Sequence, residues 1–362
     1  MKSLLNKLVE AYFEYRAEKK RNYPDVPREV MIEIEPRCNF RCAFCFNKLS
    51  FAKEGRDGIK ILSADYVRKI IEKLSEAGVE KIRFTGGEPL LRNDIMDLLA
   101  YARRFDFTQI RLNTNASLID REKARELVKY VDNFLIPIES EKEDIESPVC
   151  GFENALSRKI NAVNWLREAG AKIIRIGTVA TARTIENLEK IEELINTLPI
   201  DEWEIYRPIP FGGKENILGE NDLELLISKF SAMAQASKEK YYHIANALPF
   251  CSVANPGLVD AISTGAFFDD GHARFVVDPR GFAKPHYFID ENIGDPLDPI
   301  SCWNHPFMKK TRNLDFLPEK CRDCRFKLKC RGGSRLAAKI TSGSYSALDP
   351  LANLSNIQNR SS

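Results

Sequence analysis

The stretch VMIEIEPRCNFRCAFCFNK, residues 30–48, runs from a short apolar alternation straight into three cysteines. VMIEI (30–34) predicts a β-strand. Residues 36–48, PRCNFRCAFCFNK, set Cys38, Cys42 and Cys45 at spacings of four and three, among two arginines, three phenylalanines and no acid. Zinc sites usually begin with two cysteines two residues apart, and a disulfide framework needs an even count. Soft thiolates select zinc, copper(I) or iron–sulfur clusters. Three on one loop can hold three irons of a four-iron cluster and leave the fourth iron open to a small molecule.

Outward from this strand one theme repeats. A helix from Ser63 would bury Val67, Ile70, Ile71 and Leu74 and stop at Gly78. EKIRFTG (80–86), QIRLNTN (109–115), NFLIPIE (133–139), KIIRIGTVA (172–180) and WEIYRPIP (203–210) read as further strands. Helices follow near 93–104, 120–130, 152–169, 184–198 and 221–239. Six strand–helix units in series predict a partial (β/α)6 parallel barrel, residues 28–240, with helices outside. In such barrels chemistry collects on loops after the strands. The three-cysteine loop follows the first strand and so sits at that mouth.

Composition narrows the rest. The 362 residues are 44% hydrophobic and 29% charged, with a formal net charge of +2. Such a balance gives no reason to expect nucleic acid or an anionic membrane as the main partner. Residues 1–27, opening MKSLLNKLVEAYFEYRAEKK, read as an amphipathic helix because Lys7 and Glu10 interrupt any apolar core. No apolar run approaches the roughly 20 residues that span a bilayer, and a cytoplasmic protein is expected. Six of the nine cysteines lie in two tight groups, which in a reducing compartment points to metal.

After about residue 245 the rhythm changes. ARFVVDPRGFAKPHYF (273–288) reads as a hairpin around Asp278-Pro279-Arg280-Gly281. Residues 292–333 are rich in Pro, Gly and Cys without a long periodic element. A small metal-stapled domain over 241–362 is expected.

Cys38-x3-Cys42-x2-Cys45, with Phe44 before the last cysteine and GGEP (86–89) ending the second strand, resembles the radical S-adenosylmethionine enzymes over residues 28 to about 210. The resemblance implies a [4Fe–4S] cluster whose open iron chelates S-adenosylmethionine. One-electron cleavage then yields a 5′-deoxyadenosyl radical that abstracts hydrogen from substrate. It implies Cys38, Cys42 and Cys45 as iron ligands and Phe44 near the adenine. Gly86, Gly87, Glu88 and Pro89 would form the loop at the methionine amino group, where glycines let backbone approach closely and the carboxylate can face an ammonium. Asn115, in TNA where relatives have TNG, Glu139 at the fourth strand and Arg207-Pro208 after the sixth are the other implied cofactor contacts. Phe40 and Phe46 read as packing.

CRDCRFKLKCRGGSR (321–335) resembles the SPASM auxiliary-cluster domain and its shortened twitch form through Cys321, Cys324 and Cys330. Three expected cysteine positions are instead His286, Ser334 and Ala352. One auxiliary cluster is therefore expected, with Cys251, Cys302 or His286 as its fourth ligand, or with an iron left open to substrate. Ten Lys or Arg against three acids in residues 309–335 read as charges offsetting thiolates or as a solvated face, in preference to a nucleic-acid or acidic-substrate site. Cys150, in SPVCGF, is a candidate hydrogen-atom donor at the mouth, or else a buried packing residue.

Enzymes resembling this architecture often modify ribosomally made peptides by crosslinking, epimerisation or backbone excision. A peptide is the expected substrate, with a flavodoxin- or ferredoxin-type electron donor. Only about 28 residues precede the first strand, so leader recognition is expected from a separate protein. The competing readings are a radical enzyme for a small molecule of sugar, aminoglycoside or tetrapyrrole type, and a non-enzymatic zinc protein.

Overall fold

The computed structural model describes residues 25–42, 44–45, 61–210, 218–266 and 271–358. Most of the expected N-terminal helix, residues 1–24, and Phe46 lie outside the described residues.

The opening strand sets the layers. In β1 (Glu29–Glu35) all seven residues are buried. Val30, Ile32 and Ile34 join the main apolar core with Val67, Ile70, Ile71 and Leu74 of α1 (Ala64–Glu76). Strand alternation then turns Glu29, Met31, Glu33 and Glu35 to the opposite face. The ends of α1 follow its sequence. The Ser63 side chain accepts from the Tyr66 N–H at the N-cap, and Gly78 lies just past the end at φ 81°.

The remaining elements of the strand–helix series are β2 (Lys81–Gly86), α2 (Ile95–Ala102), β3 (Gln109–Asn113), α3 (Arg121–Leu127), β4 (Asn133–Pro137), α4 (Glu143–Cys150), α5 (Ala155–Glu168), β5 (Ile173–Val179), α6 (Ala182–Glu186), α7 (Leu188–Thr197), β6 (Glu202–Tyr206) and α8 (Glu220–Ala236). These are the six predicted units. Two features were not predicted: the short helix α4, and a break that divides the expected 184–198 helix into α6 and α7.

The sheet does not end at residue 240. After α8 come β7 (Tyr241–Ile244), α9 (Pro256–Ile262), β8 (Arg274–Val277) and β9 (Ala283–Lys284). β7 pairs parallel to β6, and β8 pairs parallel to β1 with Val30 opposite Phe275. The full order is β7-β6-β5-β4-β3-β2-β1-β8-β9, with β9 antiparallel. Among the described residues no pairing joins the two edges, so the barrel is partial. The expected hairpin is present: Asp278 N–H donates to Phe282 C=O, and Gly281 at φ 89° donates to Asp278 C=O, both at 2.9 Å. Strand pairing thus crosses the domain boundary expected at 240/241, because Phe275 and Val277 extend the same apolar core.

Helices α10 (Pro299–Asn304), α11 (Pro306–Arg312), α12 (Lys327–Cys330), α13 (Arg335–Ser342) and α14 (Ser355–Gln358) complete the described chain. No helix among the described residues is long and apolar enough to cross a membrane.

The sheet face turned away from the helices is charged. Arg83 Nε meets Glu29 Oε1 at 2.5 Å, and Arg111 Nη1 meets Glu29 Oε2 at 3.3 Å. Arg175 pairs with Glu204 and reaches Asn133 Oδ1 at 2.7 Å. Burial works to neutralise Glu29, but the guanidiniums of Arg83, Arg111 and Arg274 hold it far below the usual carboxylate range.

Candidate active site

Three loops meet at the C-terminal ends of β1, β2 and β3. Gly87 N–H donates to Glu35 C=O at 2.6 Å, and Glu88 N–H donates to Arg37 C=O at 2.8 Å. The Arg37 side chain turns back on Glu35, with both contacts at 2.8 Å. Gly87 is the tightest point: a Cβ there would stand 2.0 Å from Arg37 O. The close approach expected of this glycine is therefore to the stalk of the cysteine loop, where any side chain would collide with backbone.

Glu88 is fully buried. Its carboxylate accepts from Leu90 N–H at 3.0 Å, Thr114 Oγ1 at 2.7 Å and Asn115 N–H at 2.7 Å. Burial raises its pKa to about 7 against the pull of those three donors. Both oxygens are thus engaged by protein donors. They tie the β2 and β3 loops together, a tie continued by Pro89, which opens a buried 3-10 turn.

That tie holds Asn115 against the cysteines. Its Nδ2 donates to Asn39 Oδ1 at 2.8 Å and lies 3.7 Å from Cys38 Sγ, while Phe40 N–H reaches the same sulfur at 3.4 Å. Ala116 follows at φ 63°. That left-handed backbone favours glycine and accounts for the TNG of relatives. Cys38, Cys42 and Cys45 are partly exposed and lie outside any disulfide, with the partly exposed Phe44 between the last two. N–H groups aimed at sulfur suit a thiolate that ligates iron.

Cys150 is not on an open loop. It is the last residue of α4, buried in a small cluster with Phe40 and Ala155 against Cys38 and Cys42. Its carbonyl accepts from Arg41 N–H at 2.7 Å. Lys159 Nζ lies 3.2 Å from its sulfur and 2.5 Å from Glu146 Oε1, with Lys159 and Glu146 both fully buried. Glu146 Oε2 in turn accepts from the N–H groups of Glu139 and Ser140 at 2.9 and 2.8 Å. This network behind the cysteine loop was not foreseen. Its signal is a lysine on the apolar stripe of α5, among Leu156, Ala162, Val163 and Leu166.

Glu139 and Arg207, two further predicted cofactor contacts, each have partners within the protein. Glu139 Oε2 accepts from Val179 N–H at 2.7 Å, joining β4 to the end of β5. Burial, and then the charge of Glu146, raise the Glu139 carboxyl well above its usual range. Arg207 exchanges backbone hydrogen bonds with the Asn246 side chain and donates Nη1 to Asp349 Oδ2 at 2.7 Å. Its neighbour Pro208 is half-buried.

The second cysteine group forms its own cavity, lined by Cys251, Cys321, Cys324 and Cys330 with Phe250, Phe326 and Ala352. Cys302 and His286 are elsewhere. Cys302 Sγ donates to Asp295 C=O at 3.1 Å. His286 sits beyond β9, where burial and the charges of Arg274 and Lys284 lower its pKa to about 3. Ser334 caps α13 through Ala337 N–H. Several of the basic residues bind carbonyls or rings: Arg335 reaches Tyr345 O and Ala347 O, and Arg312 stacks 3.9 Å over Trp303.

Among the described residues the only trio of possible ligand atoms all within 4.8 Å of one another is Glu202, Glu204 and His243. No three cysteine sulfurs stand that close in either group.

The sequence profile described as the Radical SAM superfamily matches residues 32–198. The PqqA peptide cyclase of Bradyrhizobium diazoefficiens is 23% identical over 339 residues, covering 91% of this chain and 87% of the relative. The PqqA peptide cyclase of Granulibacter bethesdensis is 25% identical over the same length, covering 91% and 88%. Streptococcus suis SuiB bound to S-adenosylmethionine shares the fold with a TM-score of 0.71 at 19% identity, over 97% of this chain and 83% of that one. SuiB bound to its precursor peptide SuiA gives 0.72 at 19% identity, over 97% and 81%. The matched region holds the three-cysteine loop and the GGEP loop at the ends of adjacent parallel strands, so residues 32–198 of this chain form a radical SAM domain.

Proposed function

We propose that this radical SAM enzyme modifies a ribosomally synthesised peptide. The observation that carries this reading is likeness to PqqA peptide cyclases along 91% of the chain, which takes in the second cysteine group as well as the barrel. A likeness confined to the barrel would leave the substrate class open.

The first loop would hold a [4Fe–4S] cluster and S-adenosylmethionine, which when bound would supply one-electron radical chemistry. The residues here prepare the place. Cys38, Cys42 and Cys45 offer the thiolates, Asn115 and Phe40 direct N–H groups at Cys38, and Glu88 fixes the β3 loop that carries Asn115. Glu29 with Arg83 and Arg111, and Glu204 with Arg175, pair buried charges across the barrel face and order this part of the polar wall.

Belonging to the same proposal are one auxiliary [4Fe–4S] cluster at Cys321, Cys324 and Cys330 in a C-terminal unit, an electron donor of flavodoxin or ferredoxin type, a separate leader-recognition protein and a cytoplasmic location. A zinc protein without catalysis does not fit the family.

The test is incubation of reconstituted enzyme, S-adenosylmethionine and reductant with short peptides encoded beside it, read by mass spectrometry. A crosslink appears as the loss of two hydrogens, epimerisation as deuterium uptake from heavy water, and excision as a larger loss. Unchanged peptides, together with a sugar or tetrapyrrole that stimulates 5′-deoxyadenosine release, would replace this reading with the small-molecule one.

A further inference from the structure

We propose that Cys251 is the fourth thiolate of the auxiliary cluster, so that Cys251, Cys321, Cys324 and Cys330 close its coordination and leave no iron open to substrate. This rests on the reading of the second cysteine group as a cluster site.

Four sulfurs from separate parts of the chain face one cavity. Cys321 and Cys324 flank a turn, Cys330 ends α12, and Cys251 lies in the 3-10 turn Phe250–Ser252, about seventy residues earlier. Ala352, where the SPASM-like pattern has its last cysteine, lines the same cavity with only a methyl group. The position that has lost a ligand and the cysteine that replaces it therefore look onto the same space. The other candidates do not. Cys302 is bonded to Asp295 C=O, His286 lies beyond β9, and Ser334 is a helix cap.

The turn that carries Cys251 is fixed to the Cys330 segment. Phe250 N–H points at Cys330 Sγ at 3.5 Å, so one turn offers both a thiolate and a donor to its neighbour's sulfur. The Phe250 and Phe326 rings lie 5.4 Å apart over the site and shield it. From beyond α9, Ala266 N–H donates to Lys329 C=O at 3.0 Å, and Lys329 Nζ reaches Asp260 Oδ1 at 3.0 Å. A Cβ at Gly265 would stand 2.2 Å from Lys329 O, so a side chain there would push α12 off this seat. On the other side Asn356 Nδ2 donates to Cys251 C=O at 3.0 Å. Cys251 and Cys330 are held at the cavity by contacts that do not involve metal.

The experiment uses the full chain carrying Cys38→Ala, Cys42→Ala and Cys45→Ala, reconstituted anaerobically so that only the auxiliary site loads. Iron, sulfide and zinc are counted, and the reduced cluster is followed by electron paramagnetic resonance and Mössbauer spectroscopy. About four irons per chain are expected. Cys251→Ala should lower this to about three or fewer and change the spectrum, and adding Ala352→Cys to that variant should restore both. The rescue separates a lost ligand from a misfolded chain. Unchanged iron and spectrum in Cys251→Ala, or loss in Cys302→Ala or His286→Ala alone, would overturn the assignment. Zinc without sulfide in the starting protein would overturn the auxiliary-cluster reading itself, and this proposal with it.

Discussion

Arg207, just past β6, donates to Asp349 across 142 positions of sequence at 2.7 Å, and both side chains are buried. Asp349 Oδ2 also accepts from Ser334 N–H at 2.7 Å, four residues after Cys330. One carboxylate thus joins the barrel to the segment carrying the second cysteine group. Asp349→Ala strands the Arg207 charge. Removing one partner of a buried pair typically costs about 3–5 kcal/mol. A fall in denaturation midpoint is expected, with loss of auxiliary-site metal, since Ser334 loses its anchor. An unshifted midpoint with full metal would show that the pair is dispensable.

Gly87→Ala should disturb the cysteine loop before it disturbs cofactor affinity. The added carbon meets Arg37 backbone, so the loop must shift. The expected result is loss of iron from the first site together with weaker binding of S-adenosylmethionine. A variant with full iron and weak cofactor binding would place the crowding on the ligand side instead.

Glu88 makes a pH prediction. Its folded pKa of about 7 stands above the ordinary 4.5. The folded state therefore binds the extra proton between those values, and stability from this group is complete below about 4.5 and falls as pH rises toward 7. The span corresponds to about 3 kcal/mol at most. Glu88→Gln should flatten that part of the stability curve. Equal slopes in both proteins between pH 4.5 and 7 would contradict the assignment.

Cys150→Ala should retain product formation, because its sulfur is enclosed by Lys159, Glu146 and the cysteine loop. Lys159→Met should be worse than Cys150→Ala for folding by about 3–5 kcal/mol, since Glu146 is left buried and unpaired. The double variant Lys159→Met/Glu146→Gln should recover part of that loss. Abolished product formation with normal folding in Cys150→Ala would restore it as a hydrogen donor.

The barrel was legible because its signals are local. Alternation in VMIEI, the Ser63 cap and Gly78 fix β1 and α1 without reference to the rest of the chain. β7 was not, because YYHI is four residues long and follows α8 with only a few residues of punctuation. The two cysteine groups were legible by spacing. The roles of Glu88 and Arg207 were not, since a motif says which residue stands at a strand end but not which donors surround it. Cys251 could be shortlisted among three candidates, but only the packing of its turn on α12 separates it from Cys302 and His286.

The most direct test of the radical assignment is 5′-deoxyadenosine formation by the anaerobically reconstituted chain with S-adenosylmethionine and a one-electron reductant. The Cys38/Cys42/Cys45 triple alanine variant should form none while keeping about four irons at the second cysteine group. Release of 5′-deoxyadenosine at the wild-type rate by that variant would contradict it.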